Sequence, residues 1–170
     1  MPPADERACL SRRDFLLAGG KLVLLAAVPG LAGPVWAQRV RQTPVEVARL
    51  SELRVGEPVW FDFPQPGYAN ALIRLGVAAG GGIGPQRDIV AFSARCTHLG
   101  GSLRGTLRSA EQIFGPCPRH LTTFDLTRYG VVITGHATQS LPQVILETDG
   151  DSILAVGLQG LVYGTPPTHG

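Results

Sequence analysis

The chain has 170 residues, 15 basic and 13 acidic, for a net charge of +2, and 44% of its residues are hydrophobic, enough for one domain with a real core plus a short extra segment. Beyond residue 37, eleven basic residues face ten acidic ones with no Lys/Arg cluster, which excludes a nucleic-acid footprint. Gly (22) and Pro (14) are abundant and helical periodicity is weak, so the composition points to a loop-rich, all-β protein.

Residues 11–17 read Ser-Arg-Arg-Asp-Phe-Leu-Leu. An apolar stretch follows, richest from Leu22 to Val28, and then Pro29, Gly30, Gly33, Pro34 and Val35-Trp36-Ala37. A charged start, an apolar middle and a small-residue end form the layout of a bacterial export signal. The adjacent Arg12 and Arg13, with Phe15 two residues on, resemble the twin-arginine type. Residues 1–37 are therefore expected to be a twin-arginine signal addressed to the periplasm. A retained membrane anchor competes, but Lys21 and the Gly/Pro breaks interrupt the run of about 20 apolar residues that a spanning helix needs.

Residues 38–44 form a short linker. From Val45 onward the pattern changes to short Val-, Ile-, Leu- and aromatic-rich runs separated by turn residues. Candidate strands cover 45–50, 58–63, 71–77, 88–93, 131–134, 143–148 and 152–157. Gly80-Gly81-Gly82-Ile83-Gly84-Pro85 reads as a surface loop, and Asp149-Gly150 as a hairpin turn. The expectation is one all-β domain of antiparallel sheets over residues 45–170. Trp60 and the apolar strand residues are its core.

Two boxes carry the chemistry. The first is Cys96-Thr97-His98-Leu99-Gly100-Gly101; the second runs from Gly115-Pro116-Cys117-Pro118-Arg119-His120 to Leu121-Thr122-Thr123-Phe124-Asp125. Each supplies one thiolate and one imidazole, and eighteen residues separate His98 from Cys117. Glycine lets backbone N–H groups come close to a metal-bound sulfide, and proline stiffens the loop. Three readings stand side by side: an iron–sulfur cluster, structural zinc, and buried cysteines with incidental histidines. Zinc modules usually pair Cys with Cys and His with His along the chain, whereas both boxes here are mixed. Cys9, the third cysteine, lies in the signal segment.

The boxes resemble the two motifs of Rieske proteins, C-x-H and C-x-x-H, in which two His replace two Cys on one iron of a [2Fe–2S] cluster. The resemblance implies that Cys96 and Cys117 hold the inner iron and His98 and His120 the outer one. It also implies an antiparallel fold with a small cluster-binding subdomain of two loops, about 94–138. Leu99, Gly100, Thr122 and Phe124 fall at positions that line the cluster. Rieske proteins of quinol-oxidising cytochrome bc-type complexes add one Cys to each box and join the loops by a disulfide. The matching positions here are Gly101 and Arg119, so the loops are expected to rely on the cluster and on packing alone.

The run Gly135-His136-Ala137-Thr138-Gln139-Ser140-Leu141-Pro142 and the run Asp88-Ile89-Val90-Ala91-Phe92-Ser93, with the twin-arginine start, are similar to the small subunit of bacterial arsenite oxidase. That family implies a non-catalytic electron-relay subunit in a heterodimer. A molybdenum–pterin large subunit would oxidise arsenite, and a periplasmic cytochrome c or small copper protein would accept the electrons. The short linker suits a docked relay. Contact with the membrane is expected only if the signal segment is retained. The alternatives are the Rieske subunit of a quinol-oxidising complex, a ferredoxin serving an oxygenase, which the export signal opposes, and a zinc module. His136 reads equally as a neighbour of the cluster, an interface residue or an ordinary loop histidine. His169 belongs to the C-terminal tail.

The bc-type proteins carry Ser and Tyr hydroxyls after the second box; Thr122 keeps a hydroxyl and Phe124 has none. Hydrogen bonds to sulfur favour the reduced state. Phe124→Tyr should therefore raise the reduction potential, which protein-film voltammetry measures directly.

Overall fold

The computed structural model describes residues 43–162. The expected signal segment, most of the expected linker, Cys9, Tyr163 and His169 lie outside the described residues. Ten strands run in chain order: β1 (Val45–Arg49), β2 (Pro58–Asp62), β3 (Ala69–Arg74), β4 (Ile89–Ser93), β5 (Leu107–Arg108), β6 (Ile113–Phe114), β7 (Thr123–Asp125), β8 (Val131–Thr134), β9 (Gln143–Asp149) and β10 (Ser152–Gln159). The helical content among the described residues is one 3₁₀ turn, Leu50–Glu52, and no helix there is long and apolar enough to cross a membrane.

Six strands form the larger sheet in the order β1-β10-β9-β4-β3-β2; the other four form a smaller one in the order β5-β6-β7-β8. Neighbouring strands are antiparallel throughout. Side chains alternate faces along a strand, so the apolar runs of β3 and β4 feed two cores at once. Ala71, Ile73, Val90 and Phe92 face one core, which also holds Leu103, Phe114, Phe124, Leu126 and both Cys96 and Cys117. Leu72, Ile89 and Ala91 face the other, with Phe63, Val144 and Ile153. The cysteines thus back onto the packed layer that joins the sheets. Trp60 is half-buried against that layer, its ring 6.4 Å from Phe114 and covered by the Arg104 guanidinium at 4.6 Å.

The seven candidate strands are all present; 131–134 coincides with β8, and the other six have shifted ends. The 71–77 candidate begins at Ala69 and stops at Arg74, because the chain turns at Gly76, where φ is +75°. In the last hairpin Asp149 pairs with Ser152, so the loop is Gly150-Asp151, one residue later than the Asp-Gly signal suggested. Gly150 supplies the positive φ such a turn demands. β5, β6 and β7 have no counterpart among the candidate strands. Two or three residues are too few for a periodic signal, and register with neighbours creates these strands.

The glycine loop after β3 is anchored. Gly80 donates its N–H to the Thr127 carbonyl at 2.8 Å and accepts from the Gln143 side-chain amide at 2.9 Å.

Asp151 ties the 3₁₀ turn to the last hairpin. It accepts from the Ser51 hydroxyl at 2.7 Å and the Ser51 N–H at 3.0 Å. Those bonds, aided by Arg49, hold its carboxyl below its ordinary value of 3.8. A depressed carboxylate adds stability above its ordinary pKa and loses it as pH falls through the depressed one. Ser51→Ala should therefore lower the melting temperature at pH 7, and the difference from the native chain should close in strong acid. Paired thermal melts test this.

Candidate metal centre

The two boxes fold into the same small ring. In the first, Cys96 N–H donates to the Gly101 carbonyl at 2.8 Å and the Cys96 carbonyl accepts from Gly100 N–H at 2.9 Å. In the second, Cys117 N–H donates to the Thr122 carbonyl at 2.8 Å and the Cys117 carbonyl accepts from Leu121 N–H at 2.9 Å. Each cysteine therefore bonds residues four and five positions on. The fourth position is left-handed in both rings: Gly100 at φ +67° and Leu121 at φ +60°. Glycine adopts that conformation freely; leucine does so at a cost of roughly 1–2 kcal/mol.

The rings face each other. A Cβ on Gly101 would stand 2.9 Å from the Cys117 sulfur and 3.2 Å from Arg119 Cδ, so only glycine fits at this crossing. A third segment, residues 135–142, joins them from the side. Its His136 N–H donates to Thr122 Oγ1 at 3.2 Å, and its Gln139 carbonyl accepts from Thr97 Oγ1 at 2.8 Å. The expectation that cluster and packing alone hold the loops is corrected here. One hydrogen bond runs to each loop from a shared third strap.

Cys96 and Cys117 are buried, free and within interaction range of each other. Burial pushes the Cys96 thiol pKa up, and hydrogen bonds from the His98 amide and the Thr122 hydroxyl pull it back. A metal would displace that proton. The imidazoles stand close together, with His98 and His120 edge to face at 4.7 Å between centroids. His136 lies 5.6 Å from His98, near parallel, and 6.4 Å from His120. Desolvation, then repulsion by His120 and His136, lowers the His98 pKa, so its ring is neutral at pH 7. His98 Nδ1 is buried with no hydrogen-bond partner. A buried polar atom without a partner is costly unless something fills the place. Among the described residues no three His, Cys, Asp or Glu side chains surround a point suited to a single ion. The donors fall instead into a thiol pair and an imidazole pair, a set that fits a two-iron cluster.

A family model for the Rieske [2Fe-2S] domain matches residues 43–145. The chain belongs to the Rieske [2Fe-2S] family. Iodate reductase subunit IdrB of Denitromonas iodatirespirans is 57% identical to it over 160 residues, 94% of this chain and 86% of that one. The same subunit of Pseudomonas sp. (strain SCT) is 56% identical, covering 94% and 84%. The fold matches the soluble domain of the Rieske protein II (soxF) from Sulfolobus acidocaldarius, with a TM-score of 0.61 at 24% identity over 68% of this chain and 78% of that one. The protein is an all-β Rieske protein with a Rieske-type [2Fe–2S] cluster.

In this Rieske site the structure brings Cys96, His98, Cys117 and His120 together. Thr122 is fully buried between Cys96 and the third strap, and Gly100 closes the first ring. Leu99 is exposed beside His98, whereas Phe124 lies wholly in the core, paired with Phe114. Two features escaped the sequence reading. The sequence leaves His136 among three roles, and the Leu121 conformation has its signal only in the alignment of the two cysteine rings, which places it opposite Gly100. Leu121 is 66% exposed, so burial does not offset its backbone strain. Leu121→Gly should stabilise the protein by about 0.5–1 kcal/mol in denaturant titration while leaving the cluster spectrum unchanged.

Proposed function

We propose that this chain is the exported electron-relay subunit of a heterodimeric oxidoreductase of the iodate reductase type. The observation that carries the reading is 57% identity to an iodate reductase subunit along 94% of the chain. Cys96 and Cys117 would hold the inner iron, and His98 and His120 the outer one; the unpartnered Nδ1 of His98 supports its part in that set. When bound, the cluster supplies a one-electron couple. The chain's own residues do the rest. The core keeps water from the two thiols, the His98 amide and Thr122 hydroxyl orient toward the Cys96 sulfur, and exposed His120 offers an edge for electron exchange.

The large subunit would be the molybdenum–pterin partner that the arsenite oxidase resemblance implies, and a periplasmic cytochrome c or small copper protein would be the mobile carrier. Residues 1–37 would send the chain to the periplasm by the twin-arginine route. Iodate reduction consumes electrons, so the relay would pass them from carrier to large subunit. Arsenite oxidation, the second reading, uses the same architecture in the opposite direction and is favoured by residues 88–93 and 135–142. The names of the relatives put iodate first.

Electron paramagnetic resonance on the complex purified from the periplasm separates these readings. With excess reductant removed, the reduced cluster should show a rhombic signal that iodate abolishes, and arsenite should not reduce the oxidised cluster. Arsenite reduction without a response to iodate would select the second reading. Reduction by quinol alone would select a quinol-oxidising complex.

A further inference from the structure

We infer that the cleft beside His120 is the docking site for an acidic surface on the mobile electron carrier. Charge is segregated along the fold. Residues 94–138 hold five arginines (Arg95, Arg104, Arg108, Arg119 and Arg128) against Glu111 and Asp125. The other described residues hold four arginines against eight carboxylates. The end of the domain that bears the two boxes is therefore positive and the remainder negative.

Three of the five arginines are engaged. Arg95 donates to the Gly67 carbonyl at 3.0 Å, Arg104 covers Trp60, and Arg128 lies 3.9 Å from Asp125. Arg108 and Arg119 have no hydrogen-bonding or ion-pair partner on their side chains, and both line one open cleft of about 670 Å³ with His120, Leu121, Thr134 and His136. No carboxylate lines it. A guanidinium fork is built to take a carboxylate, and two free ones on one wall specify an anionic guest.

The cleft also sits on the more accessible ligand candidate. His98 is half-buried with His136 stacked near it, whereas His120 is exposed at the cleft wall. Exposed Leu121, with Ile113 and Pro116, gives the cleft an apolar contact beside its arginines. The cleft is small and open and holds two arginines without side-chain partners, which suits a transient encounter rather than a permanent interface, whose larger core is depleted in charge. Charge segregation steers a diffusing partner and orients its approach.

The inference rests on the relay reading above, but its test uses neither iodate nor arsenite. In the purified complex the reduced cluster is oxidised by hexacyanoferrate(III), an anion, and separately by tris(phenanthroline)cobalt(III), a cation. The anionic oxidant should react fast at low salt, slow as salt rises, and be blocked by polyglutamate. In Arg108→Gln/Arg119→Gln its low-salt rate should fall on the order of tenfold. The salt dependence should flatten and polyglutamate should lose its effect. The cationic oxidant should keep its rate and the resonance spectrum its shape. If Arg119→Gln costs the cluster, Arg108→Gln alone carries the test with a smaller decrease. A salt-independent anion rate in the native complex, or a double variant that retains the native salt dependence and polyglutamate block, overturns the inference.

Discussion

The site depends on one constraint: two thiols must be buried within reach of each other while the imidazole beside each stays near solvent. The two mixed loops meet it by backbone hydrogen bonding. Each cysteine closes a ring through its own N–H and C=O, so the sulfur turns toward the core and the histidine is carried outward. The rings are then pressed together at Gly101, where a single added carbon would collide with the Cys117 sulfur. The two cores, the small sheet and the third strap can all be understood as support for that crossing.

The loss of the inter-loop disulfide found in bc-type relatives is balanced in an identifiable way. Where two cysteines would be joined, the aliphatic stem of Arg119 lies against Gly101. The strap that follows β8 takes up part of the tethering through Thr97 and Thr122. The Thr122 hydroxyl serves both sides, accepting from the strap and acting as a donor toward Cys96. This couples the geometry of the strap to the electrostatics of the sulfur. The Arg119 stem performs a structural task while its head remains free at the surface, a division of labour open to a long side chain with an apolar stem.

The charge distribution bears on how such a protein would work in an electron-transfer chain. A relay must meet one partner repeatedly and quickly, and long-range fields achieve this without a large apolar patch. The four-stranded sheet puts Arg108 on the same wall as His120 and His136, although the three are distant in sequence. The negative remainder of the domain disfavours approach from the wrong side.

The sequence by itself determined the chemistry and the class of fold. The mixed Cys/His boxes point to a metal centre, their resemblance to the Rieske motifs implies two irons rather than one ion, and the apolar runs at β3, β4 and β9 place the central strands. Local spacing carries that information because ring closure around each cysteine spans only six residues. Tertiary structure decided everything that depends on which loops meet. It made strands of β5, β6 and β7, whose two or three residues acquire order only from their neighbours. It brought His136 to His98, put a leucine in the left-handed place opposite Gly100, and gathered Arg108 and Arg119 into one cleft. Long-range pairing sets these positions, and no local pattern records it, because the same residues in a different register would stand apart.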